Sequence, residues 1–238
     1  VISKKIKQHQ HTGLVKCGNI QMNLSRILFK SKIDSLGFDT VYVEKPMSNL
    51  VDFDWKKILK APRDNSSSDT IKELHLISKV TSSRNQKDIE LIHNIDQDIH
   101  QPFINLLKQY NLKYPQNYIQ SFYDIVKPVL LNTKSYWNRP RPKQLADMYD
   151  IDIKIILTDT IHSASYPSGH TVYSSLVANI LRDIYPQIVK KELDNIVLQT
   201  AKARVLQGVH YPTDNKASII FSKFIFDNLN PKLRKLIQ

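Results

Sequence analysis

The stretch Pro167–Pro186, PSGHTVYSSLVANILRDIYP, decides how this 238-residue chain is read. Val172, Leu176, Val177, Ile180 and Ile184 recur at three- and four-residue intervals, which places them on one face of a helix over 169–185. Ser168 is a favoured residue just before such a helix, and Pro186 cannot continue one, so both ends are marked. Similar Ile and Leu spacing recurs along most of the chain, and only five glycines interrupt it. An all-α helical bundle is the expected architecture.

Working outward toward the N-terminus, Thr70 and Glu73 have capping-box spacing, and Ile71, Leu74 and Ile77 predict a helix to about Val80. Ser83 and Gln86 repeat that signal ahead of Ile89, Ile92, Ile95 and Ile99. Pro102 suits the first turn of a third helix, through Leu107. A fourth begins near Gln116, carries Ile119, Phe122, Val126 and Leu130, and contains Pro128, a kink position. Residues 143–166 read as a connection, with 151–157 as a short extended piece. On the other side, a helix over 187–207 with Gly208 as its C-terminal cap is followed by one over 212–229. Residues 1–65 are a less regular N-terminal extension with one strand at Thr40–Glu44 (TVYVE); the polar run Asp64–Asp69 separates it from a helical domain over 66–238.

Composition narrows the classes. Cys17 is the single cysteine, so neither an intrachain disulfide nor a cysteine-rich metal site is available. No apolar run reaches the roughly 18 residues that span a bilayer, and the first residues lack the apolar segment of a secretory signal. A soluble protein of open compartment is expected. The formal charge of +12 would attract any polyanion, but the lysines and arginines lie in separate small groups. Steering of small anionic substrates is favoured over a nucleic-acid stripe. The abundance of Ile and Leu leaves a helical oligomer interface open.

Three stretches carry chemistry: Lys134–Pro142 (KSYWNRPRP), Pro167–His170 (PSGH) and Arg204–Asp214 (RVLQGVHYPTD). Arg141 and Arg204 offer planar guanidinium groups that keep their charge and hold two phosphate oxygens at once, with Lys134 as a third point charge. In isolation, Lys134 and Arg141 would equally describe a solvated helix face. Ser168 and Gly169 at a helix start direct free N–H groups and the positive end of the helix dipole toward an anion. A plain helix start would explain Pro167 and Ser168 but not His170 in the first turn, where an imidazolium is disfavoured without an anion nearby. His210 and Asp214, four apart, allow the carboxylate to take the Nδ1 proton and leave Nε2 as a lone pair for phosphorus. A structural His–Asp pair at the start of the last helix has the same spacing, and no metal-ligand spacing surrounds it.

Taken together, Lys134-x6-Arg141-Pro142, Pro167-Ser168-Gly169-His170 and Arg204-x5-His210-x3-Asp214 resemble the tripartite signature of the type 2 phosphatidic acid phosphatase superfamily. That superfamily includes bacterial non-specific acid phosphatases and vanadium-dependent haloperoxidases. The resemblance covers about Gln116 to Phe226 and implies the superfamily's helical bundle, with Lys134, Arg141, Ser168, Gly169 and Arg204 as phosphate ligands. It further implies His210 as nucleophile, Asp214 as its orienter and His170 as the acid that protonates the leaving oxygen. The chain departs from the pattern at Ala203, where serine is usual, and Arg139-Pro140 ahead of Arg141-Pro142 makes a second register available.

The function so implied is metal-independent hydrolysis of small phosphomonoesters through a covalent phosphohistidine. No cofactor is expected; vanadate should inhibit as a phosphate mimic. Two alternatives remain: a haloperoxidase using vanadate as cofactor in the same pocket, and a catalytically weak protein that holds a polyanion.

Overall fold

The computed structural model describes residues 15–17, 20–22, 33–38, 46–158 and 160–237. Strands β1 (Val15–Cys17) and β2 (Ile20–Met22) form a two-stranded antiparallel hairpin that pairs Val15 with Met22. All other regular structure among the described residues is helical: α1 (Trp55–Ile58), α2 (Ser68–Ser82), α3 (Gln86–Gln97), α4 (Gln101–Gln109), α5 (Gln116–Trp137), α6 (Pro142–Ala146), α7 (Gly169–Ile184), α8 (Lys190–Leu206) and α9 (Pro212–Ile237). One 3-10 turn follows α6 at Asp147–Tyr149. The strand expected at Thr40–Glu44 lies outside the described residues.

Helices α2–α5 and α7–α9 form where the periodicity places them, but two starts differ, α9 runs on to Ile237 instead of ending near Leu229, and α1 and α6 arise in stretches read as irregular extension and connection. Ser67, not Thr70, caps α2, its side chain accepting from Thr70 N–H at 3.2 Å. This frees Glu73 from the capping box expected of it. Asn85 with Asp88 makes the box that opens α3, while Ser83 ends α2. In both cases a second polar residue nearby had the better position to satisfy the first-turn N–H groups. The 151–157 segment forms no strand; it runs alongside the end of α8, with Ile156 N–H donating to Gln207 O at 3.1 Å. Gly208 follows α8 with φ of 84°, the left-handed conformation that glycine adopts most cheaply. α5 continues through Pro128 and α9 through Pro231.

α7 runs through the middle, packed against α5, α8 and α9. Its Val172, Leu176, Val177, Ile180 and Leu181 are fully buried, in one core with Phe122 and Val126 of α5 and Phe221, Ile225 and Leu229 of α9. Trp55 and Leu59 join the same core from the N-terminal side. Asn65 donates to Ile33 O and Leu36 O at 3.0 and 2.9 Å, tying residues 33–36 to the approach of α2. Among the described residues, no helix is long and apolar enough to cross a membrane.

Candidate active site

Four loops and helix ends meet at one end of the bundle. The left-handed Asn138 terminates α5, so Lys134 sits in its last turn and Arg139 and Arg141 leave on the connection to α6. On α9, Ser218 Oγ donates to Asp214 O at 2.6 Å and lies 3.0 Å from Ser168 O. Thr171 of α7 donates to Asn215 of α9 at 2.8 Å. These buried hydroxyl contacts lock the beginnings of α7 and α9 together, which is how PSGH reaches the His210–Asp214 turn across more than forty positions of sequence.

Ser168 stands at the N-cap position of α7 without a side-chain cap bond. Its hydroxyl instead lies 3.1 Å from Thr171 Oγ1. The first intrahelical bond of α7 is Val172 N–H to Ser168 O, so no helix carbonyl serves the N–H groups of Gly169, His170 and Thr171. Ser168 thus holds the cap position expected of it, and without a side-chain cap bond this end of α7 keeps its N–H groups for an anion. A methyl group on Gly169 would lie 4.0 Å from Lys134 Cε, so the lysine stands directly beside that end.

His210 is 2 % exposed. Its Nδ1 is 3.2 Å from Asp214 Oδ2, and its Nε2 is 2.9 Å from Arg141 Nη1. A guanidinium donates and never accepts, so Nε2 bears the lone pair and the ring proton sits on Nδ1 facing Asp214. Burial first, then Arg141, Lys134, Arg204 and His170, holds His210 well below the usual imidazole range, which keeps it neutral. Arg141 is fastened by donating to Ser163 O at 2.9 Å and Val209 O at 2.8 Å. Lys134 Nζ donates to Ala164 O at 2.6 Å, and burial followed by Arg141 pushes its ammonium well below the lysine range.

Arg204 is 1 % exposed and held by Asp96 Oδ1 at 2.7 Å and Thr160 Oγ1 at 3.1 Å. His170 Nε2 lies 3.7 Å from the same Asp96 oxygen. Burial and then Arg204 lower His170 to about 3, with Asp96 pulling the other way. All eight residues expected from the sequence therefore converge: three cations, two histidines, the Ser168–Gly169 helix start and Asp214.

Several contributors were not foreseen. Asp96 comes from α3, where burial would raise its carboxyl but the Arg204 and Thr160 donors hold it below the usual range. Its sequence signal was one carboxylate beside Ile95, 108 positions from Arg204. Ser165 donates to Asp214 Oδ2 at 2.6 Å. Arg139 does not duplicate Arg141: it donates to Asp214 Oδ1 at 2.6 Å, and its guanidinium carbon lies 3.6 Å from the Tyr211 ring centroid. Glu73 accepts from Thr213 N–H at 2.7 Å and so caps α9 instead of its own helix. Ala203 packs among Ile92, Ile95 and Leu206. No group of three or more His, Cys, Asp or Glu side chains suited to a metal occurs among the described residues.

Residues 121–226, which run from α5 to α9 and contain all three motifs, match the model of the PAP2 superfamily. The match spans just under half of the chain. The match supports a phosphatase-type activity. No curated protein matches the chain. Among solved structures, the first transmembrane PAP2 type phosphatidylglycerolphosphate phosphatase from Bacillus subtilis is similar, with a TM-score of 0.49 and 17 % identity over 71 % of this chain and 89 % of that one. Glu73 and Asp96 lie outside the PAP2 segment, on helices that precede it.

Proposed function

We propose that this protein hydrolyses small phosphomonoesters, without a metal, through a phosphohistidine at His210. The observation that carries the reading is the His210 imidazole, whose Nε2 lone pair faces Arg141 while Nδ1–H faces Asp214. A neutral nucleophile set among buried cations suits a reaction whose transition state spreads negative charge over equatorial oxygens. A phosphate that replaces the direct contact of Nε2 with Arg141 would lie against Arg141, Arg204, Lys134 and the α7 N–H groups.

In the first half-reaction the Nε2 lone pair forms the N–P bond as the P–O bond to the leaving group breaks, and His170 delivers a proton to the departing oxygen. In the second, His170 takes a proton from water, whose oxygen attacks phosphorus and releases inorganic phosphate as the N–P bond breaks. Before substrate binds, His170 is neutral because burial and Arg204 disfavour its charge. A phosphate dianion reverses that balance, so substrate binding and protonation of His170 are coupled.

Hydrolysis of p-nitrophenyl phosphate across pH 4–8 in excess EDTA, comparing the protein with His210→Ala, tests the reading. Turnover that survives chelation, is inhibited by vanadate and disappears in the variant is expected. Turnover retained by folded His210→Ala, or lost on chelation and restored by a metal, would overturn it.

A further inference from the structure

Asp214 accepts four hydrogen bonds, and His210 makes the longest of them. Arg139 Nη1 and Ser165 Oγ each lie 2.6 Å from the carboxylate, Tyr211 N–H 3.1 Å and His210 Nδ1 3.2 Å. Charge-assisted N–H to carboxylate bonds usually fall at about 2.7–2.9 Å. The guanidinium therefore takes the strong share of Asp214 and the imidazole a weak one. Arg139 is itself shared, with Nη2 3.5 Å from Glu73 Oε2. Burial opposes its charge, but Asp214, Tyr211 and Glu73 hold the guanidinium above its ordinary value, so it stays cationic. The Tyr211 ring beneath it fixes its plane.

We propose that Arg139, clamped between Glu73 and Asp214, is a positioning residue that sets how firmly His210 holds a transferred phosphoryl group. The inference rests on the phosphohistidine reading. Phosphorylation at Nε2 gives the imidazole ring positive character, which the Asp214 carboxylate stabilises through Nδ1–H. Arg139 opposes that stabilisation by neutralising part of the carboxylate, so the N–P bond stays labile and the intermediate turns over. Glu73 opposes Arg139 in turn. The remaining titratable and charged groups facing His210 are Lys134 of α5, Arg141 ahead of α6, His170 of α7 and Arg204 of α8; none of them donates a hydrogen bond to Asp214 Oδ1.

The two partners of Arg139 make the idea testable by sign. Arg139→Gln removes the opposing charge and should lengthen the lifetime of the phosphoenzyme about tenfold, the effect of roughly one pKa unit at the ring. Arg139→Lys keeps the charge and should stay near the unmodified protein. Glu73→Gln preserves an acceptor for Thr213 N–H but frees Arg139 for Asp214, and should shorten the lifetime. The lifetime is read by trapping phosphohistidine in alkali after a pulse of 32P-labelled p-nitrophenyl phosphate. Opposite shifts in Arg139→Gln and Glu73→Gln support the proposal; equal lifetimes, or shifts in one direction, overturn it. If Arg139→Gln does not fold, Glu73→Gln decides alone, and a lifetime equal to or longer than the unmodified protein's overturns the proposal. Failure to trap any phosphoenzyme on both the unmodified protein and folded Arg139→Gln overturns the phosphohistidine reading itself, and this inference with it.

Discussion

The buried histidines should make the ligand-free protein sensitive to acid well above the range where carboxylates titrate. In the unfolded chain each imidazole titrates near 6.5, whereas burial and Arg204 lower His170 to about 3 and His210 is held well below its ordinary value. Both folded values lie below the unfolded one, so the unfolded state binds more protons as pH falls through 6.5, and stability drops with it. Between pH 8 and pH 5 the loss is about 2 kcal/mol for each histidine that stays neutral, hence roughly 4 kcal/mol for the pair. That is a large part of the roughly 5–15 kcal/mol that holds a typical domain. His100, half-buried and also lowered by burial, adds in the same direction. Asp96, held below the usual carboxylate range, begins to matter only in stronger acid. Urea unfolding followed by far-ultraviolet circular dichroism at pH 8, 7, 6 and 5, in buffers without phosphate, measures the slope. His170→Gln and His210→Gln should each remove about 2 kcal/mol of the loss, and saturating phosphate should flatten the slope by letting His170 take up its proton. Stability that changes by less than about 1 kcal/mol across this range, or a slope intact in both variants, would refute the account of two buried neutral imidazoles.

Asp96→Asn removes the carboxylate that opposes the lowering of His170 and should slow hydrolysis of alkyl phosphates more than that of p-nitrophenyl phosphate, whose leaving group needs little protonation; equal losses would point to a role only in holding Arg204. Gly169→Ala places a methyl 3.5 Å from Leu130 Cδ2, an ordinary contact, so the melting temperature should hold while phosphate inhibition weakens, measured by thermal unfolding and inhibition constants. Gly208→Ala faces a φ of 84° and a contact of 3.1 Å to Ile153 Cγ2, and should cost about 1–3 kcal/mol in urea unfolding. Trp55→Ala empties a core position that stacks edge-on with Tyr136 at 5.2 Å, and should cost about 3–5 kcal/mol, which the same unfolding experiment reads.

Helix placement was legible because it depends on local periodicity: the apolar face of α7 is spelled out by Val172, Leu176, Val177 and Ile180, and α5, α8 and α9 follow the same rule. Helix starts were less so. Ser67 displaced Thr70 and Asn85 displaced Ser83, since several polar residues near each end compete for the same few N–H groups and small differences in backbone geometry decide among them. Gly208 was readable because the backbone conformation it adopts is open to few other residues.

The sequence by itself singled out the residues of the candidate site: Lys134, Arg141, Ser168, Gly169, His170, Arg204, His210 and Asp214 stand in three short motifs whose conjunction marked them. Only the tertiary structure decided who partners whom. Arg139 turned out to hold Asp214 while Arg141 faces His210, Glu73 left its own helix to cap α9, and Asp96 crossed from α3 to Arg204. The reason is physical. A motif's spacing reports contacts made within one turn or loop, whereas the pairing of buried charges depends on which carboxylate the packing of separate helices brings within hydrogen-bond reach, and nothing local in the chain encodes that distance.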